Sequence, residues 1–284
     1  MTEIIMIADG EWRAEIAPAL GCAFLSLTHQ GRDIFRLTAA DRIAENPTDG
    51  ACYPCTPYFG RLASIIDANG TAQPLAATAP MAEPAAALHG EGWISPWRVV
   101  DQTPDALTGR YRHDPTIEGR YPYAYEATQK ITLTEAGPTT TLTLRNAGDA
   151  PMPGGLALHP FFPRAASTRL TFAAGEFWSA TGRTFADKPD ALGTGAPAPL
   201  PTGGRDDTYV GVAGPVLIET ARGVLSLRFD TPLLHCYAPA GADFFCLEPV
   251  THLPGAFDDD ANPFSSTLLA PGEAMSLSLR VEAL

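Results

Sequence analysis

The chain has 284 residues, 45% hydrophobic and 18% charged, which is enough apolar material for a sizeable core and too little charge for a disordered polyelectrolyte. With 19 basic and 32 acidic residues the net charge is −13, so phosphate backbones and anionic lipid are repelled and neither nucleic acid nor a membrane is expected as a partner. The 26 glycines and 27 prolines interrupt the chain too often for a helical protein and point to many short elements joined by turns.

The first eleven residues carry Glu3 and Asp9 around a short apolar stretch, without the basic and long apolar regions of a secretory signal. No apolar run approaches the roughly 18 residues of a membrane helix. Five cysteines, an odd number, fit reduced thiols, and a cytoplasmic location is expected. A loose alternation at Ala23 to Thr28 predicts a strand, and Thr38 to Glu45 is the best short helical segment. Cys52 and Cys55 form a C-x-x-C, half of a zinc site or a redox pair by spacing. Cys236 and Cys246 have the wrong spacing for a second zinc knuckle, and no thioredoxin-like βαβ pattern surrounds them, so a structural pair is expected.

Farther along, Ile131 to Thr134, Thr141 to Leu144, Thr168 to Phe172, Val216 to Glu219 and Val224 to Phe229 alternate with period two. The clearest case is Met275 to Glu282, where Met275, Leu277, Leu279 and Val281 point one way and Ser276, Ser278, Arg280 and Glu282 the other, as in a half-buried antiparallel strand. Ala186 to Asp207, rich in proline and glycine and ending in Asp206-Asp207, predicts a long loop. Strand patterns on both sides of it favour one domain over residues 1–284 rather than a linker between two. The pattern as a whole predicts an all-β, mostly antiparallel sandwich or barrel with few short helices.

No phosphate-cradling glycine loop, dinucleotide fingerprint, H-E-x-x-H or G-x-S-x-G occurs, so any chemistry must be assembled from scattered residues. Three apolar runs carry an ionisable residue: Ala85 to Gly90 with His89, Gly154 to Phe162 with His159, and Asp243 to Pro249 with Glu248. Pro160 and Pro249 bias the residues before them toward extended backbone. Nearby phenylalanines desolvate His159 and Glu248, which would move both titrations toward neutrality and suit proton transfer. Taken singly, each also fits a structural hydrogen-bonding role, and His89 fits a turn. His29, His113 and His252 read as surface or structural, and His235 as a core histidine with a satisfied ring. No histidine pair has metal-site spacing, and no metal is expected. Arg61, beside Tyr58 and Phe59, fits either a plain surface position or a fork for ligand oxygens. Trp93, Trp97, Phe161 and Phe162 fit a core or a sugar-stacking face.

Five segments, taken together and in order, resemble the aldose 1-epimerase (galactose mutarotase) family. They are Gly60-Arg-Leu-Ala63, the stretch from His89-Gly90 to Trp97, His159-Pro-Phe-Phe162, Asp206-Asp-Thr-Tyr209 and Cys246-Leu-Glu-Pro-Val-Thr251, and the likeness runs from about Tyr53 to the end. The resemblance implies a β-supersandwich that binds a free monosaccharide and interconverts its α and β anomers. It implies Glu248 as the base at the C1 hydroxyl, His159 as the acid at the ring oxygen, and His89 and Arg61 as sugar hydrogen-bonding partners. It also implies an inward aspartate, Asp206 or Asp207, with the spacing to Tyr209 favouring Asp206. Neither hydride acceptor, metal nor other cofactor is implied. Ser64, Ile65 and Phe161 depart from the family pattern at positions expected to shape the sugar pocket. A hexose 6-phosphate 1-epimerase drawing on Arg61, Arg98 and Arg164, or a sugar-binding sandwich without turnover, are the alternatives. A monomer and a homodimer both fit a chain of this length.

Overall fold

The computed structural model describes residues 2–78, 86–179, 184–186, 190–257 and 266–284. Two large antiparallel sheets dominate, with 11 and 9 strands. In the smaller, the order across the middle is Tyr125–Thr132, Thr139–Asn146, Ala274–Ala283, Gly223–Phe229 and Ala213–Thr220. These are the segments whose alternation is plain in the sequence, and the alternation sets the register. Leu142 lies opposite Leu277, both fully buried. On the other face Thr141 bonds Ser278 at 3.0 Å and Thr143 bonds Ser276 at 2.8 Å.

The larger sheet runs through Ala23–His29, Cys52–Cys55, Ala157–Pro163, Phe244–Val250, Leu233–Ala238, Arg205–Val210 and Glu176–Ser179. One of its faces, with Phe24, Leu158, Phe162, Leu234, Phe245 and Leu247, shares a single core with Leu107, Ala127, Leu142, Leu227 and Leu279 of the smaller sheet. The opposite face, with Tyr53, Ala157, Phe161, Leu233, Cys246 and Val250, packs under Phe59, Leu88, Trp93 and Leu253. Its central strands are therefore covered on both sides and read as continuous apolar runs. Helix is confined, among the described residues, to Ala40–Glu45 and the 3₁₀ turns Pro47–Asp49 and Gly92–Ile94. No described helix is long and apolar enough to cross a membrane.

One sequence expectation changes. The segment from Ala186 to Asp207 is not one loop: Ala186 closes the strand Thr184–Ala186, Ala198–Pro199 is a short strand, and Asp206 and Asp207 lie within Arg205–Val210. Residues 187–189 of that segment lie outside the described ones. Arg205–Val210 pairs on both sides, with Leu233–Ala238 and Glu176–Ser179, so its extended form is imposed by neighbours rather than by its own pattern. Cys52 and Cys55, three apart on one strand, face opposite ways, Cys52 into the core between the sheets and Cys55 into the outer cluster. They form no half of a zinc site.

The turn that overhangs the outer face is pinned by two imidazoles. The Phe59 N–H donates to His252 Nε2 and the Gly60 N–H to His89 Nδ1, each at 3.0 Å. His252 in turn donates from Nδ1 to the Leu253 carbonyl at 2.8 Å, so both ring nitrogens are satisfied in one neutral tautomer. The Cδ2–Nε2 edge of the ring abuts Gly155, where an added Cβ would overlap both atoms. Gly155→Ala is therefore expected to displace the ring and cost about 1–3 kcal/mol. Urea denaturation measures this, and an unchanged midpoint would contradict the packing.

Candidate active site

The site is a row of side chains laid across adjacent strands. Tyr53 is the ladder partner of His159, His235 of Glu248, Thr208 of His235, and Trp178 of Thr208. The pairs Ala157↔Val250 and Phe161↔Cys246 flank His159 and set it opposite Glu248. Cross-strand partners share a face, so register alone gathers Tyr53, His159, Glu248, His235, Thr208 and Trp178 on the face turned away from the smaller sheet. Above this row lies a cavity of about 640 Å³, inside the usual range for small-molecule sites.

His159 Nε2 lies 3.3 Å from Glu248 Oε1, an ion-pair distance without the alignment of a hydrogen bond, and both side chains are buried. The imidazole packs against the rings of Tyr53 and Phe161, at 4.6 and 4.7 Å. Burial, reinforced by the neighbouring His89 and His235 rings and the Arg36 guanidinium, drives His159 well below the ordinary histidine range. Burial and the charge of Asp206 drive Glu248 well above the ordinary carboxylate range. The two shifts overrun the neutrality expected from the sequence and favour a neutral imidazole beside a protonated carboxyl. A buried environment disfavours the charge-separated form of the same pair, which holds the same single proton.

His89 follows the strand Ala87–Leu88 with a left-handed backbone, φ 56°, unusual outside glycine. Because its Nδ1 accepts from Gly60, its proton is on Nε2, which is left as its donor. Burial, with His235 and Arg61, lowers His89 to about 3. Asp206 sits at the cavity's mouth, its side chain 61% exposed, and takes a 3.0 Å bond from His235 Nε2. The Thr208 hydroxyl closes that chain at 2.9 Å from His235 Nδ1. The bond from His235 is the main reason that the Asp206 carboxyl is held below its usual range. Arg61, opposite Leu88 in a two-strand ladder, completes this side of the lining.

Asp207 is a correction. Successive residues of a strand face opposite ways, so with Asp206 at the cavity Asp207 points toward the other sheet, where it accepts from Arg205 Nη1 at 2.9 Å. Asp207 is absent from the cavity lining. Ser64 and Ile65 are likewise elsewhere: Ser64 is exposed and Ile65 joins the core between the sheets. Of the four aromatics considered for stacking, Phe161 lines the cavity, Trp93 stacks on Tyr53, and Trp97 and Phe162 fill the inter-sheet core.

The structure adds lining residues that sequence reasoning missed. Arg36 stacks on Phe161 and Phe244, 3.7 and 4.8 Å from their centroids, and donates to the carbonyls of Thr48 and Gly50. Nothing in Ile34-Phe35-Arg36 signals this. Trp178 and Tyr237 also line the cavity, as does His235. His235 carried a signal: it stands in a strand-like run, and the ladder gives it the same face as Glu248.

Comparison with known proteins gives four findings. The family profile described as Aldose 1-epimerase matches residues 3–282. The protein YphB of Escherichia coli (strain K12) is 33% identical over 257 residues, covering 83% of this chain and 85% of that protein. A crystal structure of an aldose 1-epimerase candidate from the same bacterium superposes with a TM-score of 0.86 at 26% identity, covering 100% of both chains. A galactose mutarotase-like protein of Clostridium acetobutylicum shares the fold, with a TM-score of 0.84 at 15% identity over 100% of this chain and 96% of its own.

Acid should expose the buried imidazoles. His89 is lowered to about 3 and His252 to about 4, so below the ordinary value of 6.5 the unfolded chain protonates both rings while the folded chain does not. The His159–Glu248 pair holds one proton folded and, between 4.5 and 6.5, one proton unfolded, so it cancels. Stability should therefore fall progressively as pH drops from 6.5 toward 4.5, because unfolding lets these rings take up protons. Urea midpoints at the two ends of that window measure it. A midpoint that held or rose on acidification would contradict the neutral-ring assignment.

Proposed function

The chain belongs to the aldose 1-epimerase family, and on that basis we propose that it interconverts the α and β anomers of a free monosaccharide by general acid–base ring opening. The observation that carries this reading is the His159–Glu248 contact at the floor of a sugar-sized cavity. Ring opening needs a base at the C1 hydroxyl and an acid at the ring oxygen, two atoms bonded to one carbon, and a pair of side chains from neighbouring strands matches that separation.

In the forward step the Glu248 carboxylate takes the O1 proton, the C1–O1 bond becomes a carbonyl, and the C1–O5 bond breaks. His159, protonated at the start, gives its proton to O5. The products are the open aldehyde, a neutral imidazole and a protonated carboxyl, which is the arrangement that burial favours for this pair. Rotation about C1–C2 followed by the reverse transfer closes the other anomer and restores the charge-separated pair. One proton circulates and none is exchanged with solvent. His89 donates from Nε2 to a sugar hydroxyl, and Arg61 donates beside it. Asp206 accepts, its carboxylate oriented by His235 and Thr208. Phe161 and Trp178 offer apolar surface to the ring's C–H faces.

Two of the three arginines expected by the phosphate-specific alternative lie away from the cavity. Arg98 lines a separate cavity with Arg110 and Arg120, and Arg164 is spent on the carbonyls of Pro239 and Pro201. That leaves Arg61 as the one member of the expected trio at the cavity.

Anomer equilibration of freshly dissolved α-glucose, α-galactose and several pentoses, followed by polarimetry or NMR, tests the proposal. Glu248→Gln and His159→Asn are each expected to lower kcat by about 10²–10⁴-fold. Asp206→Asn should act mainly on KM. Acceleration of no aldose over buffer, or full turnover in both variants, would overturn the reading. Sugar binding that survives without turnover would support the non-catalytic alternative.

A further inference from the structure

The acid–base reading employs His159 and Glu248 and leaves a third polar group beside them without a role. Cys246 lies two residues before Glu248 on the same strand, so its thiol projects from the same face, and its ladder partner is Phe161, two residues from His159. One ligand atom from each of His159, Cys246 and Glu248 can be chosen so that all lie within 4.8 Å of one another. All three residues are buried. Among the described residues, both Glu248 carboxyl oxygens have no hydrogen-bond partner, although each is shielded from water. Buried polar atoms left in that condition call for a ligand. Sugar hydroxyls can satisfy the carboxyl oxygens during turnover, but they give the thiol no function.

We infer that His159, Cys246 and Glu248 also form a binding site for a single Zn²⁺ ion, with the fourth position open to water. The donor set is an imidazole, a thiolate and a carboxylate, which suits Zn²⁺ and excludes the oxygen-seeking Mg²⁺ and Ca²⁺. The His159–Glu248 separation of 3.3 Å matches the edge of a tetrahedron with bonds of about 2 Å. Charge balances as well. The thiol and the carboxyl each lose a proton to solvent on binding, and two negative ligands neutralise the dication, so the buried complex carries no net charge. No electron is transferred. Because the ion occupies the lone pairs that ring opening requires, it acts as an inhibitor in competition with the sugar. That last consequence rests on the epimerase reading, whereas the binding itself does not.

Titration of chelator-treated protein with Co²⁺ tests the site through the near-ultraviolet thiolate-to-Co²⁺ charge-transfer band. The band should saturate at one equivalent and be displaced by Zn²⁺. Cys246→Ser should abolish it, and His159→Asn, which keeps every thiol, should weaken Zn²⁺ binding roughly tenfold or more. Absence of the band, or Zn²⁺ bound as tightly by both variants as by the parent chain, would overturn the proposal and leave an adventitious surface ion only. Anomerisation assayed over the same titration keeps the two ideas separable. A rate without the band rejects the metal site and spares the epimerase reading, and a band without any rate does the opposite.

Discussion

The contact between His159 and Glu248 depends on strand register before it depends on chemistry. Each residue sits in the middle of a sheet buried on both faces, and a one-residue slip in either strand would turn its side chain into the core between the sheets. The same register delivers Tyr53, His235, Thr208 and Trp178 to the row. Burial then does two things at once. It excludes bulk water from the proposed reaction, which needs only a proton moved from one oxygen to another, and it raises the energy of the charge-separated pair relative to the neutral one. In the proposed reaction, a substrate whose anomeric hydroxyl donates a proton and whose ring oxygen accepts one turns this disadvantage into a cycle, since both arrangements of the pair appear in it.

Around that pair, satisfied polar groups hold the geometry. His252 and His89 each accept a backbone N–H from the Phe59–Gly60 turn, which fixes the roof of the cavity and the tautomer of His89 together. His235 spans Thr208 and Asp206 and so orients a carboxylate that is otherwise exposed at the mouth. Arg36 ties the Thr48 and Gly50 carbonyls to the aromatic wall of Phe161 and Phe244. These are separate devices, yet each uses a side chain whose polar atoms are engaged locally and whose remaining surface is presented to the cavity.

The sequence was most legible where one face of a strand meets solvent. Met275 to Glu282 alternates cleanly because Ser276, Ser278 and Arg280 lie on the side away from the core, and the strand Ala274–Ala283 follows. The central strands of the other sheet lack alternation because neither face is wet, so Ala157–Pro163 and Phe244–Val250 were visible only as apolar runs with one charged residue each. That anomaly, together with the ordered motifs, singled out His159, Glu248, His89, Arg61 and Asp206, all of which line one cavity. Parity within Arg205–Val210 separates Asp206 from Asp207, and it needs the strand assignment that a loop reading of that segment withheld. Arg36 and Trp178 reach the cavity through tertiary packing from distant segments, for which local sequence carries no signal.

A crystal structure of the Glu248→Gln variant with a bound monosaccharide tests the central claim most directly, because it fixes the sugar without turnover and shows where its reacting atoms lie. The account predicts the anomeric hydroxyl within about 3 Å of residue 248 and the ring oxygen within about 3 Å of His159. Asp206 and His89 should hold hydroxyls on the far edge. A sugar seated in this cavity with its anomeric carbon turned away from both residues, or bound in the separate cavity between Arg98 and Arg120, would contradict it.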